Sequence, residues 1–179
     1  ISRLGGIGIA LSFFFFFLCY LFFSSNAAFV TFFPIILAGF IIFVLGITDD
    51  LHSLSAIIKL LFQLLAASIV VFTDHRFKQI GPWELPTIIS YGLTFAWIIG
   101  VINAFNLIDG LDGLCGSLSF TTTVTLGILF YLSGNSEYII CFILAASILG
   151  FLIFNWPPAK LFMGDSGSQF LGFMIAVFP

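Results

Sequence analysis

Seven apolar stretches of helical length, separated by short polar segments, constrain this sequence more than any other feature. They cover approximately residues 4–23, 29–48, 54–73, 86–101, 114–132 and 138–154, with a seventh beginning near Gln169. An α-helix needs about 20 predominantly apolar residues to cross the hydrocarbon core of a bilayer. The pattern therefore predicts an all-α integral membrane protein, a polytopic bundle of about seven transmembrane helices.

The composition excludes an ordinary water-soluble domain. Of the 179 residues, 61% are hydrophobic and only 7% are charged, whereas soluble domains average about 25% charged residues. The net charge of −3 is too small to indicate a nucleic-acid partner, and we expect none. No internal repeat or low-complexity linker divides the chain, so residues 1–179 are predicted to form a single membrane-embedded domain. Because the chain starts at Ile1 and stops within an apolar run, we expect it to be truncated at both ends.

Alternation of seven spans across the membrane places most acidic residues on one face. Four polar segments fall on that face: 3–6, 49–50, 103–112 and 157–168. Five aspartates share it: Asp49, Asp50, Asp109, Asp112 and Asp165. Such convergence is what a single site built from several loops requires.

The opposite face receives segments 24–26, 74–84 and 133–137, and residues 74–82 are predicted to contain a short hairpin. The basic residues divide slightly in favour of the acid-rich face. Arg3, Lys59 and Lys160 lie near the acids, whereas Arg76 and Lys78 lie opposite. Under the positive-inside rule, this excess favours a cytoplasmic location for the acid-rich face.

Two adjacent aspartates end the second apolar stretch. The carboxylates of Asp49 and Asp50 repel each other, and a cation or a proton would relieve that repulsion. This pattern is typical of a magnesium-linked or general-base pair, and a simple polar end to a membrane span is the alternative. Lys59 either reaches these aspartates or a phosphate, or extends its ammonium group to the membrane interface.

The segment 103–114 reads Asn-Ala-Phe-Asn-Leu-Ile-Asp-Gly-Leu-Asp-Gly-Leu. Its polar groups recur every three residues, so Asn106 and Asp109 share a helical face or line a tight loop. The amide and carboxylate oxygens of Asn103, Asn106, Asp109 and Asp112 suit a hard cation and a hydroxyl-rich ligand. An interhelical turn rich in Asn, Asp and Gly is the alternative.

The segment 162–168 reads Phe-Met-Gly-Asp-Ser-Gly-Ser and follows two prolines that end the sixth helix. We predict that Ser166 or Ser168 caps the seventh helix. Exposed backbone amides at a helix N-terminus bind anions, and Asp165 beside them is suited to a metal that bridges a diphosphate. A plain N-cap is again the alternative.

Together these motifs resemble the polyprenyl-phosphate N-acetylhexosamine-1-phosphate transferases of glycosyltransferase family 4, integral membrane enzymes that start bacterial cell-wall and surface-polysaccharide synthesis. The resemblance rests on four ordered segments: 3–6, 46–63, 103–114 and 157–172. The sequence looks closest to members that use UDP-N-acetylglucosamine, including those that start teichoic acid and O-antigen. It departs from the family pattern where Ser53 stands in place of the third aspartate of Asp-Asp-x-x-Asp.

The resemblance implies a phosphoglycosyltransferase that transfers N-acetylhexosamine-1-phosphate from a UDP-sugar to undecaprenyl phosphate and releases UMP. It implies that Asp165 and Asn106 hold Mg²⁺, or Mn²⁺ in its place. Lys59 would contact a phosphate, and Asp49 or Asp50 would deprotonate or orient the lipid phosphate. These residues carry the chemistry in the implied mechanism.

The resemblance also implies how the substrates bind. Asp109 and Asp112 would face the nucleotide, and Phe162 would stack on uracil. The remaining substrate-binding residues are Asn103, Gly164, Ser166 and Ser168. The implied partners are a UDP-N-acetylhexosamine, undecaprenyl phosphate, membrane lipid and a second copy in a homodimer.

The implied location is the bacterial cytoplasmic membrane, with a multi-pass chain and the active site on the cytoplasmic face. The alternative function is a cation-coupled membrane transporter that uses intramembrane acids. A transporter predicts acids within the spans and on both faces of the bilayer. Acids clustered at span ends on one face favour an enzyme.

Overall fold

A computed structural model describes residues 3–24, 26–73 and 75–178, and within these residues the chain is an all-α bundle with one small hairpin. The elements are α1 (Gly5–Phe23), α2 (Asn26–Leu51), α3 (Ala56–Phe72), β1 (Gln79–Ile80), β2 (Trp83–Glu84), α4 (Thr87–Ile108), α5 (Leu114–Leu132), α6 (Tyr138–Asn155) and α7 (Gly164–Ala176). In the described part of the chain, α1, α2, α4, α5 and α6 are long and apolar enough to cross a membrane. The predicted fold class is therefore confirmed, with α3 and α7 shorter at 17 and 13 residues.

Most helix boundaries follow the apolar stretches, and the largest differences lie at the acid-rich end. Helix α4 continues to Ile108, past its predicted end at residue 101, so Asn103 and Asn106 are helical. Helix α7 begins at Gly164 rather than near Gln169. Both helices therefore extend into the polar segments, and of the two alternatives for Asn106 and Asp109 the structure shows a continued helix that ends at Ile108.

The predicted hairpin is confirmed at the other end of the bundle. Strands β1 and β2 pair antiparallel, with Gln79 opposite Glu84 and Ile80 opposite Trp83. Gly81 in the turn has a φ of +57°, a conformation that glycine adopts without a Cβ penalty. Asp74, at the start of the predicted hairpin segment, lies outside the described residues.

Helix α7 lies at the centre of the bundle and packs against α1, α2, α4 and α5. All of its residues except Asp165 are buried. The Phe170 ring lies 5.7 Å from the Phe13 ring and 5.5 Å from the Phe14 ring, measured between centroids. Aromatic pairs at such distances add to the stabilisation from apolar burial. The central position of α7 places its N-terminal end, with Asp165, among the ends of the surrounding helices.

Two glycines allow α1 and α2 to approach the start of α7 closely. A Cβ atom on Gly6 would lie 2.1 Å from the backbone nitrogen of Gly167, and one on Gly46 would lie 2.4 Å from the Cα of Ser166. The backbone N–H of Gly6 also donates to the carbonyl of Met163 at 2.8 Å. These contacts hold the first turn of α7 against both neighbouring helices.

Candidate active site

Segments that are far apart in sequence meet around a cavity at one end of the bundle. The cavity has a volume of about 280 Å³ and is lined by Arg3, Asp109, Phe162, Gly164 and Asp165. Its lining comes from the residues before α1, the end of α4 and the start of α7. The predicted convergence of the acid-rich segments is therefore present in the structure.

Asp50 connects the end of α2 to the start of α7. Its two carboxylate oxygens accept the backbone N–H groups of Asp165 and Ser166, each at 2.9 Å. A carboxylate at this position satisfies free N–H groups and interacts favourably with the helix dipole. The prediction that Ser166 or Ser168 caps α7 is wrong, because Met163 occupies the N-cap without a side-chain hydrogen bond and Asp50 supplies the acceptor.

Gly164 is required at the start of α7 for two separate reasons. Its φ of +73° lies in the left-handed region, which side chains disfavour. A Cβ atom at this position would also lie 2.8 Å from Oδ1 of Asp50. Gly164 therefore lets the Asp50 carboxylate reach the N–H groups of α7, and it lines the cavity as well.

Lys59 on α3 lies between two carboxylates. Its Nζ forms an ion pair with Asp49 and lies 3.3 Å from Oδ2 of Asp165. Of the alternatives for Lys59, contact with the aspartates is the one observed. The Asp49 side chain is 3% exposed and that of Asp165 is 31% exposed, so only Asp165 opens to the cavity. Asp49 also accepts the backbone N–H of Leu54 at 2.8 Å.

Helix α4 brings further polar groups to Asp165. The Nδ2 atom of Asn106 lies 3.5 Å from Oδ2 of Asp165, and Asp109 follows one helical turn later. Burial, together with the negative charges of Asp165 and Asp50, raises the pKa of Asp109 to about 6. The site therefore concentrates carboxylate charge, and a bound cation would relieve the repulsion.

The donor set fits a divalent cation that is shared with a phosphate. Among residues 3–24, 26–73 and 75–178, no group of three or more His, Cys, Asp or Glu side chains forms a metal cluster. Mg²⁺ in phosphoryl-transfer sites is usually held by one or two carboxylates, with waters and substrate phosphates completing its coordination. Asp165 and Asn106, in contact beside a carboxylate-rich cavity, match that pattern, and Mg²⁺ stays a prediction.

Two of the predicted substrate-binding residues hold other parts of the protein. Oδ2 of Asp112 accepts the backbone N–H of Ala159 at 3.0 Å, which ties the loop after α4 to the loop after α6. Nδ2 of Asn103 donates to Oε1 of Gln63 at 2.9 Å. Neither residue lines the cavity.

Two further predicted binding residues, Ser166 and Ser168, are fully buried within α7. Within the part of the chain that the structure describes, their hydroxyl groups have no hydrogen-bond partner. The remaining predicted site residues are brought together around the cavity and its ion pairs: Asp49, Asp50, Lys59, Asn106, Asp109, Phe162, Gly164 and Asp165.

Three buried amides that support this arrangement, Asn155, Gln63 and Gln169, are not among the residues predicted from the sequence. Asn155 accepts the backbone N–H of Gly113 at 3.0 Å and donates to the carbonyl of Leu161 at 2.8 Å. Gln63 and Gln169 contact each other at 3.4 Å between Nε2 and Oε1. Each of them is a single amide within an apolar helix. Such an amide indicates a polar contact in the interior, because a buried polar group needs a partner.

Residues 32–179 match the sequence family described as Glycosyl transferase family 4. The Bacillus subtilis (strain 168) protein named probable undecaprenyl-phosphate N-acetylglucosaminyl 1-phosphate transferase is 44% identical over 151 residues, which cover 80% of this chain and 42% of that protein. The decaprenyl-phosphate N-acetylglucosaminephosphotransferase of Mycobacterium tuberculosis (strain ATCC 25618 / H37Rv) is 35% identical over 158 residues. These cover 79% of this chain and 39% of that protein.

A third relative is the phospho-N-acetylmuramoyl-pentapeptide-transferase of Thermotoga neapolitana. It is 37% identical over 161 residues, which cover 80% of this chain and 51% of that protein. The chain thus spans between 39% and 51% of the length of these three relatives. All three are named as transferases, so they give the transporter alternative no support.

Proposed function

Because the chain belongs to glycosyl transferase family 4, we propose that it is the membrane-embedded core of a phosphoglycosyltransferase. The enzyme transfers N-acetylhexosamine-1-phosphate from a UDP-sugar, preferably UDP-N-acetylglucosamine, to undecaprenyl phosphate and releases UMP. The observation that carries this proposal is the Lys59–Asp165 pair beside a cavity at which α1, α4 and α7 meet. The name of the Bacillus subtilis relative supports the choice of sugar and lipid.

Charge neutralisation is the main task of this site, since the reaction brings two anionic substrates together. Lys59 lies 3.3 Å from Asp165, and Asp165 and Arg3 both line the cavity. Both cationic side chains are placed to contact phosphate groups. Asp165 and Asn106 would hold Mg²⁺, or Mn²⁺ in its place, which supplies further neutralisation of the diphosphate when bound.

The paired aspartates are best suited to orient groups around the lipid phosphate. Both oxygens of Asp50 accept backbone N–H groups of α7, and Asp49 accepts from Lys59 and Leu54. These contacts fix the carboxylates in place, which favours orientation over proton abstraction. In this role Asp49 directs the Lys59 ammonium group, and Asp50 holds the start of α7.

The nucleotide would occupy the side of the cavity formed by Phe162 and Asp109. Phe162 is 37% exposed and lines the cavity, so its ring is accessible for stacking on uracil. Asp109 would accept hydrogen bonds from the nucleotide. Asp112 and Asn103 contribute through the loop and helix contacts that they make, rather than by direct contact.

The cavity would open to the cytoplasm, in the cytoplasmic membrane of a bacterium. The basic residues support this orientation, because Arg3, Lys59 and Lys160 lie towards the acid-rich end and Arg76 and Lys78 towards the hairpin end. We also propose that the protein forms a homodimer, on the basis of its resemblance to the family.

The proposal is tested by UMP release from the full-length protein in membranes that contain undecaprenyl phosphate. With UDP-N-acetylglucosamine, we expect UMP and a lipid-linked diphosphosugar, and we expect chelation of divalent cations to stop both. Other UDP-N-acetylhexosamines serve as comparison donors and identify the sugar. If no donor yields UMP while the protein carries a cation flux across liposomes, the transferase proposal is wrong and the transporter is correct.

A further inference from the structure

A chain of three side-chain amides runs through the interior of the bundle and ends on Asp49. Nδ2 of Asn103 donates to Oε1 of Gln63 at 2.9 Å. Nε2 of Gln63 donates to Oε1 of Gln169 at 3.4 Å, and Nε2 of Gln169 donates to Oδ2 of Asp49 at 3.5 Å. We call Asn103, Gln63 and Gln169 the amide relay.

The two glutamines of the amide relay are buried in apolar helices. Gln63 on α3 is 1% exposed and Gln169 on α7 is fully buried. Burying an amide costs free energy unless its hydrogen-bonding groups are paired, and an apolar side chain of similar length would fill the same space without that cost. In the relay both amides are paired. The donor-to-acceptor direction of its hydrogen bonds leads from Gln63 through Gln169 to Asp49.

Asp49 determines the direction of every hydrogen bond in the relay. An ionised carboxylate only accepts, so Gln169 must turn its NH₂ group towards Asp49. The carbonyl of Gln169 then faces the NH₂ group of Gln63, whose own carbonyl faces Asn103. Asn103 can start the relay because its NH₂ group also donates to the carbonyl of Ile99 at 2.8 Å.

The relay joins the candidate active site at both ends. Asp49 pairs with Lys59, and Lys59 lies 3.3 Å from Asp165. Asn106 contacts Asp165 from α4, one helical turn after Asn103, which starts the relay. These side-chain contacts join α2, α3, α4 and α7, and one turn of α4 connects Asn103 to Asn106. A displacement of Asp49 would therefore move Lys59 relative to Asp165.

We propose that Gln63 and Gln169 are positioning residues that hold the Asp49 carboxylate so that Lys59 stays in contact with Asp165, which lines the cavity. Neither glutamine lines the cavity, so both act through Asp49. Their effect on turnover rests on the proposed function, whereas the contact between Gln169 and Asp49 can be tested without it.

The first test is steady-state kinetics of full-length variants. Gln169→Met keeps the side-chain length and removes the donor to Asp49, and we expect kcat to fall about tenfold, in line with a lost charge-assisted hydrogen bond. KM for both substrates should stay within about twofold, since no substrate contact is removed. Gln79→Met in the hairpin is the matched control and should leave both parameters unchanged.

The direction of the relay gives a sharper comparison at position 63. When the introduced carboxyl is ionised, Gln63→Glu replaces a donor by an acceptor of the same shape, so Gln169 turns its carbonyl towards Asp49. The variant is therefore assayed above the pKa of that carboxyl, which burial raises. Gln63→Met leaves Gln169 free to keep its NH₂ group on Asp49. We expect the lower kcat in Gln63→Glu, and equal kcat values in the two variants would contradict the relay. Unchanged kcat in Gln169→Met, or a loss confined to KM, would also contradict it.

The second test measures thermal unfolding of wild type, Gln169→Met, Asp49→Ala and the double variant, and needs no activity. If Gln169 donates to Asp49, the drop in Tm caused by Gln169→Met should at least halve when Asp49→Ala is already present. Additive Tm changes would refute the contact. A wild-type protein that releases no UMP would refute the proposed function alone, because the Tm comparison would still decide whether the relay exists.

Discussion

The acid-rich end and the hairpin end of the bundle both hold polar side chains, and these side chains are used differently. At the hairpin end, Nη1 of Arg76 donates to Oγ of Ser90 at 2.9 Å, and its guanidinium lies 5.0 Å from the centre of the Tyr91 ring. Oγ1 of Thr94 accepts the backbone N–H of Phe77 at 3.1 Å. These contacts attach the loop to α4.

At the acid-rich end, charged side chains lie together around a cavity instead of attaching a loop. Asp165 and Asp109 line the same cavity, and burial with nearby negative charge raises the pKa of Asp109 to about 6. The glycines that hold α7 against α1 and α2 keep these groups close together. Polar pairing at the hairpin end therefore attaches a loop to the fold, whereas close packing at the acid-rich end maintains a site whose charge is available to a substrate or a cation.

The largest effect is expected from Lys59→Met. The change leaves the buried carboxylate of Asp49 without its cation and removes a phosphate contact, so kcat of the full-length enzyme should fall by about 10²–10³-fold. UMP release measures this loss. Lys160→Met, at an exposed position near the same end, is the control and should retain activity. Comparable activity in both variants would remove Lys59 from the site.

A smaller effect, on stability, is expected from Gly46→Ala. The added Cβ would lie 2.4 Å from the Cα of Ser166, and overpacking of this kind costs about 1–3 kcal/mol. Gly92→Ala on α4 has open space around its Cβ and should instead raise the free energy of unfolding by about 0.5–1 kcal/mol. Thermal unfolding in detergent measures the Tm of both variants. Equal Tm changes in Gly46→Ala and Gly92→Ala would argue against close packing at the acid-rich end.

The smallest effect is expected from Ser90→Ala at the hairpin end. The buried Ser90 hydroxyl accepts from Arg76 and donates to the carbonyl of Phe77. Its removal should lower the free energy of unfolding by about 1–2 kcal/mol without changing kcat. Ser68→Ala, where the exposed hydroxyl donates to the carbonyl of Leu64, should change stability less. A fall in kcat for Ser90→Ala would show that the hairpin end takes part in the reaction.

The helices that cross the bundle could be predicted from sequence because apolar length determines them. Helix α5 begins at Leu114 and ends at Leu132, as its apolar stretch predicts. The start of α7 could not be predicted in this way, since its first turn has a polar, glycine-rich sequence. That turn is helical because Asp50, more than 100 residues earlier, accepts its N–H groups.

The residue types of the site could also be predicted, but not all of their partners. The aspartates and Lys59 stand out because charges are rare in this sequence. Gln63 and Gln169 do not stand out, since each is a single amide in an apolar helix. Their contact depends on how α3 and α7 both pack against α2 and α4. Long-range contacts of this kind require the fold.

If the chemistry occurs at the acid-rich end, removing a carboxylate there should stop turnover, whereas removing one at the hairpin end should not. The most direct test is UMP release by the full-length protein in two variants that convert a carboxylate to an amide, Asp165→Asn in the cavity and Glu84→Gln in the hairpin. We predict that Asp165→Asn loses at least about 10²-fold in kcat, while Glu84→Gln keeps wild-type turnover. Equal activity in the two variants would contradict the assignment of the active site to this end of the bundle.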